Sequence, residues 1–127
     1  MNKDAIRVVL IEDDKVIRES YAFLINKTAS FQVVNAYASA EQAFKSIKND
    51  DPLIVLLDVE LPGMNGIEAL NEIKNTNKNL PVILCSAYGE FKQDFSSWAS
   101  DGYVVKSADT KELKQTIKDL LSVAKPL

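Results

Sequence analysis

The chain has 127 residues, enough for one ordinary domain with a real core and too few for two. Hydrophobic residues make up 46% and charged residues 26%, the proportions of a globular protein, and a formal charge of −3 offers no basic footprint for DNA or RNA. Histidine is absent and cysteine occurs once, at Cys85, which excludes Ser-His-Asp and Cys-His catalysis, His-ligated zinc, an internal disulfide and any CxxC motif.

A lone cysteine suits a reducing compartment. Met1 to Asp4 leads straight into the short apolar run Ile6–Ile11, which is too brief for a secretory core, and no run reaches the roughly 18–20 residues of a membrane span. The expectation is a cytoplasmic protein that touches neither membrane nor nucleic acid.

The apolar pattern alternates between two periods. Ile6–Ile11 reads as a strand, and Glu12-Asp13-Asp14 follows at once, with Asp14 as the helix cap. Ile17, Tyr21, Leu24 and Ile25 then recur on one helical face. Gln32–Tyr37 is a second strand. Ser39-Ala40-Glu41-Gln42 resembles a capping box, ahead of a stripe of Ala40, Ala43, Phe44 and Ile47. Leu53–Leu57 is five aliphatic residues between Pro52 and Asp58, the habit of a parallel strand buried on both faces. Leu61-Pro62-Gly63-Met64-Asn65-Gly66 is a loop, and Ile67, Leu70 and Ile73 resume helical spacing. Pro81–Cys85 is the fourth strand, and Phe91, Phe95, Trp98 and Ala99 make the next helical face. Gly102–Val105 is a short fifth strand. Asp109 caps a last helix with Leu113, Ile117, Leu120, Leu121 and Ala124 on its face. Five βα units in a row define an α/β domain with a parallel sheet covered on both sides, spanning residues 1–127 without linker or repeat. Pro126 marks either the natural end or the first residue of a linker to a further domain.

Open parallel sheets bind ligands beyond the carboxyl ends of their strands. Those ends carry Glu12-Asp13, Asp58, Ser86-Ala87 and Lys106. Three clustered carboxylates from Glu12, Asp13 and Asp58 repel one another, and a divalent cation with the Lys106 ammonium would supply three positive charges against them. Magnesium is the natural cation: it is hard, takes carboxylate oxygens and keeps waters that a phosphate oxygen can replace. One hydroxyl, one ammonium, one metal and one attacking carboxylate are the parts of a phosphoryl-transfer site. Gly63 and Gly66 form neither a GxGxxG nor a P-loop, so nucleotide binding gains no support. Cys85, on an apolar strand, reads as an inert buried thiol.

Taken in order, Glu12-Asp13, Asp58, the Leu61–Gly66 loop, Ser86-Ala87 and Lys106 resemble the receiver domain of two-component response regulators, from about Ile6 to Leu121. The resemblance implies a flavodoxin-like (βα)5 doubly wound sheet of strand order 2-1-3-4-5. It implies Asp58 as phospho-acceptor. It implies Asp13 as a direct magnesium ligand, Glu12 acting partly through water, and Asp58 and the Glu60 backbone carbonyl completing the set. Ser86 and Lys106 would hold the phosphoryl group, and Ser86 with Tyr103 would form the switch. The implied donor is a phosphohistidine on a histidine kinase or a His-containing phosphotransfer protein. The implied recipient is a downstream protein partner or an output domain. Such a domain promotes its own phosphorylation without turning over a separate substrate. Glu60 and Tyr88 occupy positions that tune phosphoryl lifetime in this family.

Two departures stand out. Lys106-Ser107 replaces the family's usual Lys-Pro, and a trans bond is expected because a non-proline cis bond costs about 2.5–4 kcal/mol. The Ser86–Lys106 segment also looks slightly short. Two other classes fit the residues less well. Haloacid dehalogenase phosphatases need an Asp at position 60, where this chain has Glu60, and a cap domain. A receiver-like interaction module that signals without phosphorylation typically loses the acidic pair, the acceptor or the lysine, and this chain keeps all three.

Overall fold

The computed structural model describes residues 5–61, 66–86, 101–107 and 109–124. Five strands form one parallel sheet: β1 (Ile6–Ile11), β2 (Phe31–Tyr37), β3 (Ile54–Asp58), β4 (Val82–Ser86) and β5 (Gly102–Val105). Their order is β2-β1-β3-β4-β5, as expected. The described helices are α1 (Lys15–Asn26), α2 (Ala40–Asp50), α3 (Gly66–Thr76) and α4 (Lys111–Ala124). The helix expected over Phe91–Ala99 lies outside the described residues, as do Ala87, Tyr88 and Pro62–Asn65 of the loop after β3.

Period-two alternation builds two cores. Val9, Ile11, Val55, Leu57, Val82, Leu84 and Tyr103 face α2 and α3. Val8, Leu10, Ile54, Leu56, Ile83, Cys85 and Val104 face α1 and α4. All five residues of β3 and of β4 are buried, so the middle of the sheet is dry on both faces. A bulge between Val8 and Val9 sets Val34 as the extra residue of edge strand β2.

The caps follow the local chemistry. Asp14 Oδ1 accepts the Ile17 N–H at 3.0 Å, and Ser39 Oγ accepts the Gln42 N–H at 3.2 Å. Gln42 reaches back to the Ala38 N–H, so its box closes one residue earlier than Ser39. Asp109 accepts the Lys111 N–H at 3.0 Å ahead of α4.

Three expectations are corrected. Ile17 is exposed, because the first turn of α1, with Lys15 and Val16 also exposed, is not covered and burial starts one turn later, at Tyr21 and Ile25. Leu53 is exposed and precedes β3, which begins at Ile54; its N–H donates to the Arg7 carbonyl, but it lies at the rim before β3 meets β4. Strand β4 extends through Ser86, one residue past Cys85.

Candidate functional site

Strand register brings the charged residues together. Ile11 pairs with Leu57, so the next residues, Glu12 and Asp58, stand side by side at the sheet edge. Alternation then sends Glu12, Asp58 and Lys106 toward the face that carries Leu10, Leu56 and Val104. The backbone holds these ends: the Glu12 N–H donates to Tyr37 O at 2.9 Å, Val59 N–H to Cys85 O at 3.0 Å, and Lys106 N–H to Ser86 O at 2.7 Å.

The side chains meet there. Glu12 and Asp58 are only 2% and 5% exposed. The Lys106 ammonium donates to Glu12 Oε1 and pairs with Asp58 Oδ1 at 3.0 Å, with 13% of its side chain exposed. Asp58 Oδ1 also accepts the Glu60 N–H at 3.1 Å, which turns the chain just past the strand. Glu12 Oε2 accepts the Asp14 N–H at 3.2 Å. Burial pushes the Glu12 carboxyl above its ordinary range, beyond what the Lys106 bond takes back, and neighbouring Asp58 pushes the same way. Burial alone would lower the Lys106 pKa, but the Glu12 bond and the Asp58 charge outweigh it and the net direction is up.

Carboxylate oxygens of Glu12, Asp13 and Asp58 lie within 4.8 Å of one another. Three negative charges against the one on Lys106 leave two unbalanced, the charge of one divalent cation. The donor set is all oxygen and partly open at exposed Asp13, so the residues fit a hard ion such as magnesium. Ser86 is buried at the end of β4, and Tyr103 is buried two register positions below it on β5, on the α2–α3 face. A groove of about 300 Å³ between α2 and α3, lined by Phe44, Ile47, Lys48, Ile73, Asn77 and Leu80 among others, lies at the opposite sheet edge and takes no part in this cluster.

Two residues of α1 that sequence reasoning did not connect to the site support it. Arg18 Nη1 donates to the carbonyls of Glu12 at 2.8 Å and Asp13 at 3.2 Å. The Tyr21 hydroxyl accepts the Ser107 N–H at 2.8 Å. Burial pushes the Tyr21 phenol up to about 12, which keeps it neutral. Helical i, i+3 spacing was the available signal, but nothing in sequence says which loops the two tips reach. No cis peptide bond occurs among the described residues, so Lys106–Ser107 is trans, as expected.

Known proteins agree with this architecture. The chain matches the response regulator receiver domain over residues 8–118. It is 30% identical over 112 residues to the positive alginate biosynthesis regulatory protein of Pseudomonas aeruginosa, covering 87% of this chain and 45% of that protein. The chain spans about half the length of the curated relatives it matches. The crystal structure of response regulator TrrA from Thermotoga maritima in complex with Mg2+–BeF superposes with a TM-score of 0.80 at 34% identity, covering 90% of this chain and 97% of that one. TrrA in complex with the histidine kinase ThkA gives 0.79 at 36% identity, covering 91% and 97%. The chain therefore belongs to the receiver domains of two-component response regulators, which are signalling modules rather than turnover enzymes. Among the described residues no helix is long and apolar enough to cross a membrane.

Proposed function

We propose that this receiver accepts a phosphoryl group on Asp58 from a phosphohistidine donor and thereby switches a partner-binding face. The observation that carries this reading is the placement of buried Asp58 against both the Lys106 ammonium and the acidic pair Glu12-Asp13. An Asp58 carboxylate oxygen attacks phosphorus, the P–N bond to the donor imidazole breaks, and an acyl phosphate forms. Lys106 follows the new anionic oxygens, and the Ser86 hydroxyl donates to one of them.

Asp13 and Asp58 would hold magnesium directly, Glu12 partly through water, and the Glu60 carbonyl would complete the protein ligands. When bound, the ion offsets charge on the phosphoryl oxygens and orients them. The donor is a histidine kinase or a His-containing phosphotransfer protein, since this chain has no histidine of its own. The kinase-bound TrrA structure supports that partner class. The recipient of the signal is a downstream protein or an output domain, as expected for a cytoplasmic two-component relay.

Intact mass after incubation with acetyl phosphate tests the reading. With magnesium the wild type gains one phosphoryl group, about 80 Da. Without magnesium, or in Asp58→Asn, the gain disappears. Labelling of Asp58→Asn at the wild-type rate overturns the assignment.

A further inference from the structure

We propose that Tyr21 is a positioning residue for Lys106: its hydroxyl fixes the amide just beyond the lysine and so aims the ammonium between Glu12 and Asp58. Lys106 is the first residue past β5. Its own N–H is tied to the Ser86 carbonyl at 2.7 Å, which closes the ladder. The next N–H, on Ser107, points away from the sheet and donates to Tyr21 at 2.8 Å. The two bonds bracket the lysine and hold the peptide planes on both sides of its Cα. Among the described residues the next hydrogen bonds along the chain are local, Asp109 N–H to Ser107 Oγ at 3.1 Å and Lys111 N–H to Asp109 Oδ1 at 3.0 Å. Tyr21 therefore ties this loop to the body of the domain.

Such a tie matters because of what the side chain does. A lysine stem has four rotatable bonds and loses much of its rotamer freedom when fixed. Here it must bring one ammonium to two buried carboxylates from different strands. Anchoring the backbone on both sides of its Cα leaves only the stem to be ordered. Core packing does not explain the hydroxyl: a phenylalanine would fill the same apolar space beside Ile25, Cys85 and Leu113. One turn earlier on the same helix, Arg18 holds the Glu12 and Asp13 carbonyls, so α1 grips both partners of the Glu12–Lys106 pair.

The effect on phosphoryl transfer rests on the function proposed above, whereas the placement of the ammonium does not, so the two are measured separately. Tyr21→Phe is compared with wild type and with Thr76→Val, which removes a hydroxyl bonded to the Glu72 carbonyl at the end of α3. The first readout is hydrogen exchange of the Lys106 ammonium by 15N-edited NMR. Exchange accelerates at least about tenfold in Tyr21→Phe and stays at the wild-type rate in Thr76→Val, although both variants lose a side-chain hydrogen bond. The second is the initial labelling rate with acetyl phosphate, reduced several-fold in Tyr21→Phe alone. An unchanged ammonium in Tyr21→Phe, or an equal change in both variants, overturns the proposal. If no protein labels, the phosphoacceptor reading falls and the ammonium exchange still decides the role of Tyr21. Native-state exchange of unmodified protein checks it independently: the Ser107 amide and the Lys106 ammonium open with one denaturant dependence, and two unrelated dependences count against the tie.

Discussion

Lys106 serves two buried carboxylates with one ammonium, and that imbalance makes its removal costly. Breaking a buried ion pair by deleting one partner typically costs about 3–5 kcal/mol, because a desolvated charge is left behind. Lys106→Met should therefore lower stability by about 3 kcal/mol, nearer the lower edge because the lysine keeps some solvent contact. Urea titration measures it. Magnesium at millimolar levels should raise the urea midpoint more in Lys106→Met than in wild type, since a cation then faces three carboxylates with no internal counter-charge. An equal rise in both proteins would mean that the ion and the lysine answer different charges. Cys85 offers a second test at this scale. It is buried beneath the site, and burial pushes its thiol up to about 12. At pH 8 the thiolate fraction falls by about three orders of magnitude against a free thiol. Disulfide-exchange reagents should label the native protein at least about a hundredfold more slowly than the urea-unfolded chain, with the rate set by opening rather than by the reagent.

Among the elements, the start of α3 is the most tightly fitted to the site. The Gly66 N–H donates to the Val59 carbonyl at 3.0 Å, directly beyond Asp58. A Cβ at Gly66 would stand 2.7 Å from Val59 Cα and from its carbonyl oxygen, and 3.0 Å from the Asp58 carbonyl. Helix propensity alone favours alanine by about 1 kcal/mol. Gly66→Ala should nevertheless destabilise by about 1–3 kcal/mol, because backbone rather than a yielding side chain must move. Its amide shifts should centre on Asp58 and Val59. A gain in thermal stability would show that the clash is absorbed elsewhere. The contrast marks what patterning can and cannot reveal. Strand identity was legible because β3 and β4 are continuous apolar runs, and the acidic pair, Asp58 and Lys106 were legible because each ends a strand. Helical periodicity says which side of α1 is apolar but not where along it burial begins, and so Ile17, on the apolar stripe, is exposed. The Arg18 and Tyr21 ties were invisible for a related reason: each is fixed by where a loop from another strand passes, and only the assembled fold supplies that.

Across the whole molecule, the sheet separates the charged cluster from the proposed switch pair, Ser86 and Tyr103. The carboxylates and the Lys106 ammonium gather toward the α1–α4 face, while Tyr103 lies within the α2–α3 core and Ser86 shares its strand parity. A phosphoryl group on Asp58 adds charge on one side of β3 and β4, and a response on the other side must pass around the end of β4. Ser86 stands at that end, and Tyr103 is the bulky group two register positions below it. A hydroxyl drawn toward a phosphoryl oxygen would leave space that the Tyr103 ring can claim. The change is a population shift, so its size cannot exceed the difference in contacts between the two states. Beryllofluoride with magnesium, standing in for the phosphoryl group, should move amide shifts in wild type near Asp58, at Tyr103 and at Ala69, Leu70 and Ile73 of α3, which share its core. In Ser86→Ala the shifts near Asp58 should persist while those at Tyr103 and beyond shrink severalfold. Tyr103→Ala should likewise keep the local shifts and lose the distant ones. Distant shifts of wild-type size in both variants would take the route off Ser86 and Tyr103.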